Sequence, residues 1–135
     1  MKVIVDTSVW SLALRRKAPV AGAAVDELTE LIREGRAAMV GVVRQEILCG
    51  IRLSGDFTRL RDRLRAFPDE AATRADYERA AEHFNACRGR GIQGSNTDFL
   101  LCALSERLGY PLFTTDQDFQ TFGAVIPIRL HTPRR

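Results

Sequence analysis

The sequence predicts an α/β fold of three layers, with a mainly parallel central sheet covered by helices on both faces. Two short apolar runs, Val3-Ile4-Val5 and Pro111-Leu112-Phe113, stop abruptly on hydroxyls and acids rather than alternating apolar with polar residues. Runs of that kind belong to strands buried on both faces, as parallel strands are. Between them, apolar residues recur at helical spacing, so strands and helices alternate along the chain. Neither linker, low-complexity tract nor internal repeat interrupts the 135 residues, and a single domain over 1-135 is expected.

In order, Val3 to Val5 leads through Asp6-Thr7-Ser8 into a helix expected from Val9 to Arg16, then a loop around Lys17-Ala18-Pro19. Val25, Leu28, Leu31 and Ile32 mark a second helix, with Gly35 as its stop. A second strand is expected from Arg36 to Val43, running straight into a helix that carries Arg44 to Gly50. With that helix starting near Val43, Glu46 falls in its first turn. Asp56 is the expected cap of the next helix, whose stripe is Phe57, Leu60 and Leu64. Thr73 and Asp76 form a capping pair ahead of a long amphipathic helix bearing Tyr77, Ala80, Ala81, Phe84 and Cys87. Ser95-Asn96-Thr97 starts a helix that is apolar nearly all round and ends at Gly109, which makes it a central buried helix. Leu112-Phe113-Thr114-Thr115 reads as a strand that ends on Asp116-Gln117-Asp118. A short helix to Gly123 follows, and then a last strand from Val125 to Leu130, placed at an edge by Pro127.

Composition narrows the function classes. The chain is 45% hydrophobic and 27% charged, which suits a globular protein and excludes disordered and fibrous classes. No apolar run is long enough to cross a bilayer and no basic-flanked leader precedes the first strand, so a cytoplasmic protein without a membrane partner is expected. Cys49, Cys87 and Cys102 are an odd count within apolar helical segments, expected to be reduced core thiols rather than a disulfide or zinc framework. His83 and His131 stand alone, which argues against a histidine-rich metal site. A net charge of +3, almost all from arginine, permits nucleic acid as a partner without requiring it. Arg59, Arg61, Arg63 and Arg65 on one helix and Arg88 to Arg90 in a glycine-containing loop are the two candidate phosphate-binding sets.

The acids carry the chemistry. Asp6 and Asp116 sit at strand ends, and Glu46 and Asp98 at helix starts, so residues far apart in sequence can meet at one sheet edge, with Asp118 as a fifth candidate. In an open parallel sheet that edge is where ligands bind. Two carboxylates about 4 Å apart repel by about 4 kcal/mol at an effective dielectric of about 20, so four of them need a cation to stay ionised together. Oxygen-only ligands suit Mg²⁺ or Mn²⁺, and such a site can lower the pKa of an attacking water and neutralise a phosphate, which is what phosphodiester hydrolysis requires.

Ile4-Val5-Asp6-Thr7-Ser8-Val9, Gln45-Glu46-Ile47-Leu48, Asp98-Phe99-Leu100-Leu101 and Phe113-Thr114-Thr115-Asp116-Gln117-Asp118-Phe119 resemble, in order, the motifs of PIN-domain ribonucleases. The compact length is most similar to the VapC-type toxins of bacterial toxin–antitoxin pairs. The resemblance implies a PIN-like α/β/α domain and an Mg²⁺- or Mn²⁺-dependent endoribonuclease. Its acidic set would be Asp6, Glu46, Asp98 and Asp116, with Asp118 a fifth member, and Thr7 and Asn96 supporting the acids. It also implies an RNA substrate, a cognate antitoxin and a homodimer. Departures are Cys102 and Ser105 in the buried helix, where alanines are frequent in the family. Two rival readings stay open: a PIN-like binding or regulatory module without appreciable cleavage, and an RNA-processing PIN nuclease that is not a toxin.

The first helix supplies an expected partner surface. Val9, Leu12 and Ala13 share one face, while Trp10 and Leu14 share another about 100° away. Either the helix of Val25, Leu28 and Leu31 covers Trp10 and Leu14, or they form a partly exposed groove that receives an antitoxin segment.

Overall fold

Val3, Ile4 and Val5 are wholly buried and form β1 (Val3–Val5), the strand on which the computed structural model of the protein is centred. Residues 1–14 and 22–134 are described. β2 (Ala37–Val40) and β4 (Leu112–Phe113) flank β1, both parallel to it, with Val3 opposite Ala37 and Ile4 opposite Leu112. β3 (Asp69–Glu70) adds to β2, again in parallel, so the sheet order is β3-β2-β1-β4. The expected parallel sheet is therefore present, and its interior strands are the ones with uninterrupted apolar runs.

Both edges depart from the sequence reading. β3 has no strand signature, because acids are poor strand formers; its place is set by Arg44, whose guanidinium donates to Asp69 Oδ1 and to the Leu64 carbonyl at 2.9 Å. A short, charged edge strand also resists pairing with another chain. At the other edge the strand expected from Val125 to Leu130 shrinks to one parallel bridge between Leu112 and Leu130. There Leu112 N–H donates to the Arg129 carbonyl at 2.9 Å, and Pro127, lacking an N–H, keeps the preceding residues out of the ladder.

Helix α1 (Thr7–Leu14) begins two residues before the expected Val9, since the Asp6 carbonyl already accepts from Val9 N–H at 3.1 Å. Its expected end at Arg16 and the loop of Lys17 to Pro19 lie outside the described residues. α2 (Ala23–Arg33) buries Leu28 and Leu31 and stops at Gly35, whose φ of 69° lets Arg36 N–H reach the Leu31 carbonyl. Helix α3 (Gly41–Leu48) takes over two residues earlier than expected: past Val40 the strand would have no partner on β3. Glu46 consequently lies in the second turn of α3, not the first.

α4 (Ser54–Leu64) buries Leu60 and Leu64, but its cap position is Leu53; Asp56, expected there, instead pairs with Arg59 on the helix surface. The two longest helices, α5 (Arg74–Arg88) and α6 (Asn96–Leu108), pack on each other. Each opens with a reciprocal capping box, Thr73 with Asp76 and Ser95 with Asp98, so two orphan donors are satisfied at each start. Residues Phe99 to Ser105 of α6 are all buried, as an all-round apolar helix demands. α7 (Asp118–Phe122) closes the site edge with Phe119 and Phe122 in the core. Cys87 and Cys102 are buried free thiols; Cys49, expected in the core, is exposed where α3 ends.

Candidate active site

Asp6 follows β1 directly, and because Asp6 N–H donates to the Phe113 carbonyl at 2.8 Å, the loops after β1 and β4 lie side by side. Asp6 is 6% exposed. Two hydroxyls hold it: Ser8 Oγ and Thr114 Oγ1 each donate to Asp6 Oδ2 at 2.8 Å. Both hydroxyls also accept from the second loop, Ser8 Oγ from Thr115 N–H at 3.0 Å and Thr114 Oγ1 from Asp116 N–H at 3.0 Å. Each one thus uses its single proton on Asp6 and its lone pairs on backbone, which ties Asp6 and Asp116 into one rigid unit.

The other two acids come from helices. Glu46 reaches across from α3, and Thr7 Oγ1 donates to Glu46 Oε1 at 2.6 Å. Asp98 is the third residue of α6, where its Oδ2 accepts from Ser95 N–H at 3.0 Å. Burial pushes the Asp98 carboxyl above its ordinary range; the Ser95 hydrogen bonds oppose this, and the nearby charges of Asp6 and Asp116 reinforce it.

Asp6, Glu46, Asp98 and Asp116 all line one open cleft of about 530 Å³ at the carboxyl edge of the sheet, together with Thr7, Ser8, Gln45 and Thr97. Among the described residues, no three acid, histidine or cysteine side chains converge on one point as a ready ligand cage. The donor chemistry nevertheless suits a hard divalent cation. All four acids offer hard carboxylate oxygens, and the charges of Asp6 and Asp116 both act against ionisation of Asp98. Only one oxygen of Asp6, Glu46 and Asp98 accepts a hydrogen bond from the described residues, which leaves the other oxygen of each for a ligand.

Three expected site residues fall elsewhere. Asp118 does not line the cleft; its backbone N–H donates to Asp116 Oδ1 at 2.9 Å, so it orients Asp116 through the main chain. Asn96 lines the neighbouring groove rather than the cleft, because it is the first residue of α6 and Asp98 the third. Trp10 is 0% exposed and offers no surface to a partner. Its indole Nε1 donates to the Val5 carbonyl at 3.2 Å and its ring meets Phe67, just past α4, edge-on at 5.0 Å, while α2 packs on α1 as one of the two expected alternatives had it. Leu14 is partly buried against the same core. The sequence reading missed Ser8 and Thr114 as the groups that hold Asp6. The signal was the hydroxyl pair beside each strand-end acid, Thr7-Ser8 after Asp6 and Thr114-Thr115 before Asp116.

The PIN domain family model matches residues 3–125. No curated protein matches the chain. Among solved structures, the chain is similar to FitAcB from Neisseria gonorrhoeae, at 19% identity over 97% of each chain and a TM-score of 0.70. It is also similar to VapBC2 from Rickettsia felis bound to a DNA fragment from their promoter, at 14% identity over 97% of this chain and 98% of that one, with a TM-score of 0.73. VapBC-1 from nontypeable Haemophilus influenzae matches at 13% identity over 97% of each chain, with a TM-score of 0.68. These likenesses concern the fold. The family model spans most of the sequence and all four cleft acids, and the chain belongs to the PIN-domain family.

Proposed function

We propose that the protein is a metal-dependent endoribonuclease acting as the toxin of a toxin–antitoxin pair, and that residues 1–135 form one nuclease domain. The observation that carries this is the convergence of Asp6, Glu46, Asp98 and Asp116, from four separate parts of the sequence, on one cleft. A surface that only bound nucleic acid would gain nothing from clustered negative charge beside phosphates. Membership of the PIN-domain family supports nuclease chemistry, and the VapBC and FitAB structures of similar fold support an antitoxin partner.

Asp6, Glu46, Asp98 and Asp116 would hold Mg²⁺ or Mn²⁺, which when bound supplies an activated water and neutralises the scissile phosphate. The chain's own residues do the positioning. Ser8 and Thr114 fix Asp6, Thr7 fixes Glu46, and the Ser95 cap fixes Asp98, so three carboxylates are oriented before any ligand arrives. Burial and the charges of Asp6 and Asp116 raise the Asp98 carboxyl, and a cation held by these acids would oppose that shift.

The partners are an RNA substrate, a cognate antitoxin and a second copy of the chain, and the setting is the cytoplasm; no described helix is long and apolar enough to cross a membrane. With Trp10 committed to the core, Leu14 is the remaining first-helix anchor for an antitoxin segment. Cleavage of RNA by the purified protein should require Mg²⁺ or Mn²⁺, stop with EDTA, and vanish in folded Asp6→Asn and Asp98→Asn. Cleavage at the wild-type rate in either variant would overturn the assignment, and binding without cleavage would favour a PIN-like regulatory module.

A further inference from the structure

Beside the acidic cleft, between α5 and the start of α6, lies a groove of about 470 Å³ whose walls include Tyr77, Phe84 and Phe99 with the amides of Asn85 and Asn96. Val42 and Thr97 belong to the walls of both groove and cleft, so the two spaces adjoin. Beyond the groove, Phe84 and Phe99 also wall a smaller recess of about 260 Å³ that ends at Arg88 and Gln93. Three adjoining spaces thus lie between the carboxylates and Arg88 at the end of α5.

We propose that the groove is a nucleotide subsite: it takes a base of the RNA strand whose phosphate occupies the cleft, while Arg88 holds a neighbouring phosphate. The inference rests on the ribonuclease reading and deepens it. A base has two apolar faces and a hydrogen-bonding edge, and the groove has the complement of both. The exposed Tyr77 ring and the partly buried Phe84 ring supply stacking, while Phe99 is buried behind them, and each Asn amide offers a donor and an acceptor. Tyr77 is 57% exposed despite lying on the stripe that should face the core, so its ring is open to a ligand.

Charge points the same way. An acidic cleft repels a phosphate chain, so attraction has to come from beside it. Among the described residues, Arg59, Arg61 and Arg65 are paired with Asp56 and Asp62, whereas Arg63, Arg88 and Arg90 make no ion pair. Of these unpaired arginines, Arg88, the last residue of α5, is the one that walls the recess at the far end of the groove.

The test measures the affinity of the full chain for fluorescent single-stranded RNA oligonucleotides, with EDTA present to stop cleavage, across a salt series, alongside mass by light scattering. Tyr77→Ala should weaken binding about tenfold with the salt slope unchanged, and Tyr77→Trp should restore it. Arg88→Gln should lower the salt slope by about one. Asn85→Ala should change the preference among oligonucleotides of different base. Wild-type affinity and base preference in Tyr77→Ala and Asn85→Ala would overturn the subsite. So would a Tyr77→Ala protein that loses a dimer but binds RNA unchanged per protomer, since the groove would then receive a second copy. Failure of the wild-type protein to bind or cleave RNA would instead remove the ribonuclease reading itself.

Discussion

Thr7 Oγ1 donates to Glu46 Oε1 at 2.6 Å, so the first residue of α1 positions an acid on α3. The bond joins two packed helices, and both residues line the cleft. Thr7→Val keeps the shape of the side chain and removes the proton donor. The expected outcome is a fall in RNA cleavage of about tenfold, equivalent to the loss of about 1.4 kcal/mol of transition-state stabilisation, with the melting temperature little changed. Thr7→Ser should retain most activity. Turnover of an RNA substrate alongside thermal melts checks both; equal activity in Thr7→Val and wild type would show that Glu46 needs no such support.

Asp98 makes a prediction about pH and metal. Because burial raises its carboxyl in the folded state, the native protein holds this proton more tightly than the unfolded chain does. The group therefore subtracts stability as pH rises from the ordinary carboxylate range through the raised value, and the loss persists above it. Asp98→Asn keeps an oxygen to accept from Ser95 N–H and removes the charge. Without divalent metal the variant should melt at higher temperature than wild type at neutral pH, and the two should converge in acid. Mn²⁺ or Mg²⁺ should raise the melting temperature of wild type more than that of Asp98→Asn. Thermal melts across pH with and without Mn²⁺ give the answer, and a variant that melts lower at neutral pH would refute it.

Asp76 should behave with the opposite sign. Its carboxylate is buried, the Arg107 guanidinium donates to both its oxygens at 2.8 to 3.0 Å, and it also caps α5. Arg107 first, against opposing burial and with help from Thr73, holds this carboxyl below its ordinary range. Its contribution is therefore present above the unfolded-state value and is lost as pH falls through the lower native one. Asp76→Ala removes the cap and strands Arg107, and should cost about 3 kcal/mol. Urea unfolding at neutral and acidic pH should show that cost shrinking in acid.

Gly94 is a steric test of the groove wall. A Cβ there would lie 2.6 Å from Phe122 Cζ and 2.9 Å from Phe99 Cε2, rings that already pack at a centroid distance of 4.8 Å. Gly94→Ala should destabilise by about 1–3 kcal/mol through overpacking, because the Phe122 ring it meets is wholly buried. It should also displace Phe99 and so disturb the groove more than the acidic cleft. Denaturant unfolding measures the first effect and RNA affinity against metal-induced stabilisation separates the second.

How much was legible in advance varies with how local the controlling physics is. The interior strands, the buried helix from Asn96 and the capping pair of Thr73 with Asp76 were all readable, since each depends on residues within one or two turns. Edges were not: β3 exists because Arg44 grips Asp69, and the expected strand at Val125 to Leu130 fails because one bridge is all its neighbour offers. Trp10 shows the same limit on a single side chain. Its spacing on α1 left it free to face a partner, and Phe67, far along the chain, claimed it for the core.

By itself the sequence determined the alternation of strands and helices, the acids at their ends and the PIN-type motifs, because hydrophobic periodicity and capping are short-range effects. Only the tertiary structure decided which acids share the cleft. It admitted Asp6, Glu46, Asp98 and Asp116 and left Asp118 to hold Asp116 through its backbone. It likewise recruited Ser8 and Thr114 to clamp Asp6. Parallel pairing of β1 with β4 sets those choices, since it brings into hydrogen-bonding register two loops that no local signal in the chain could relate.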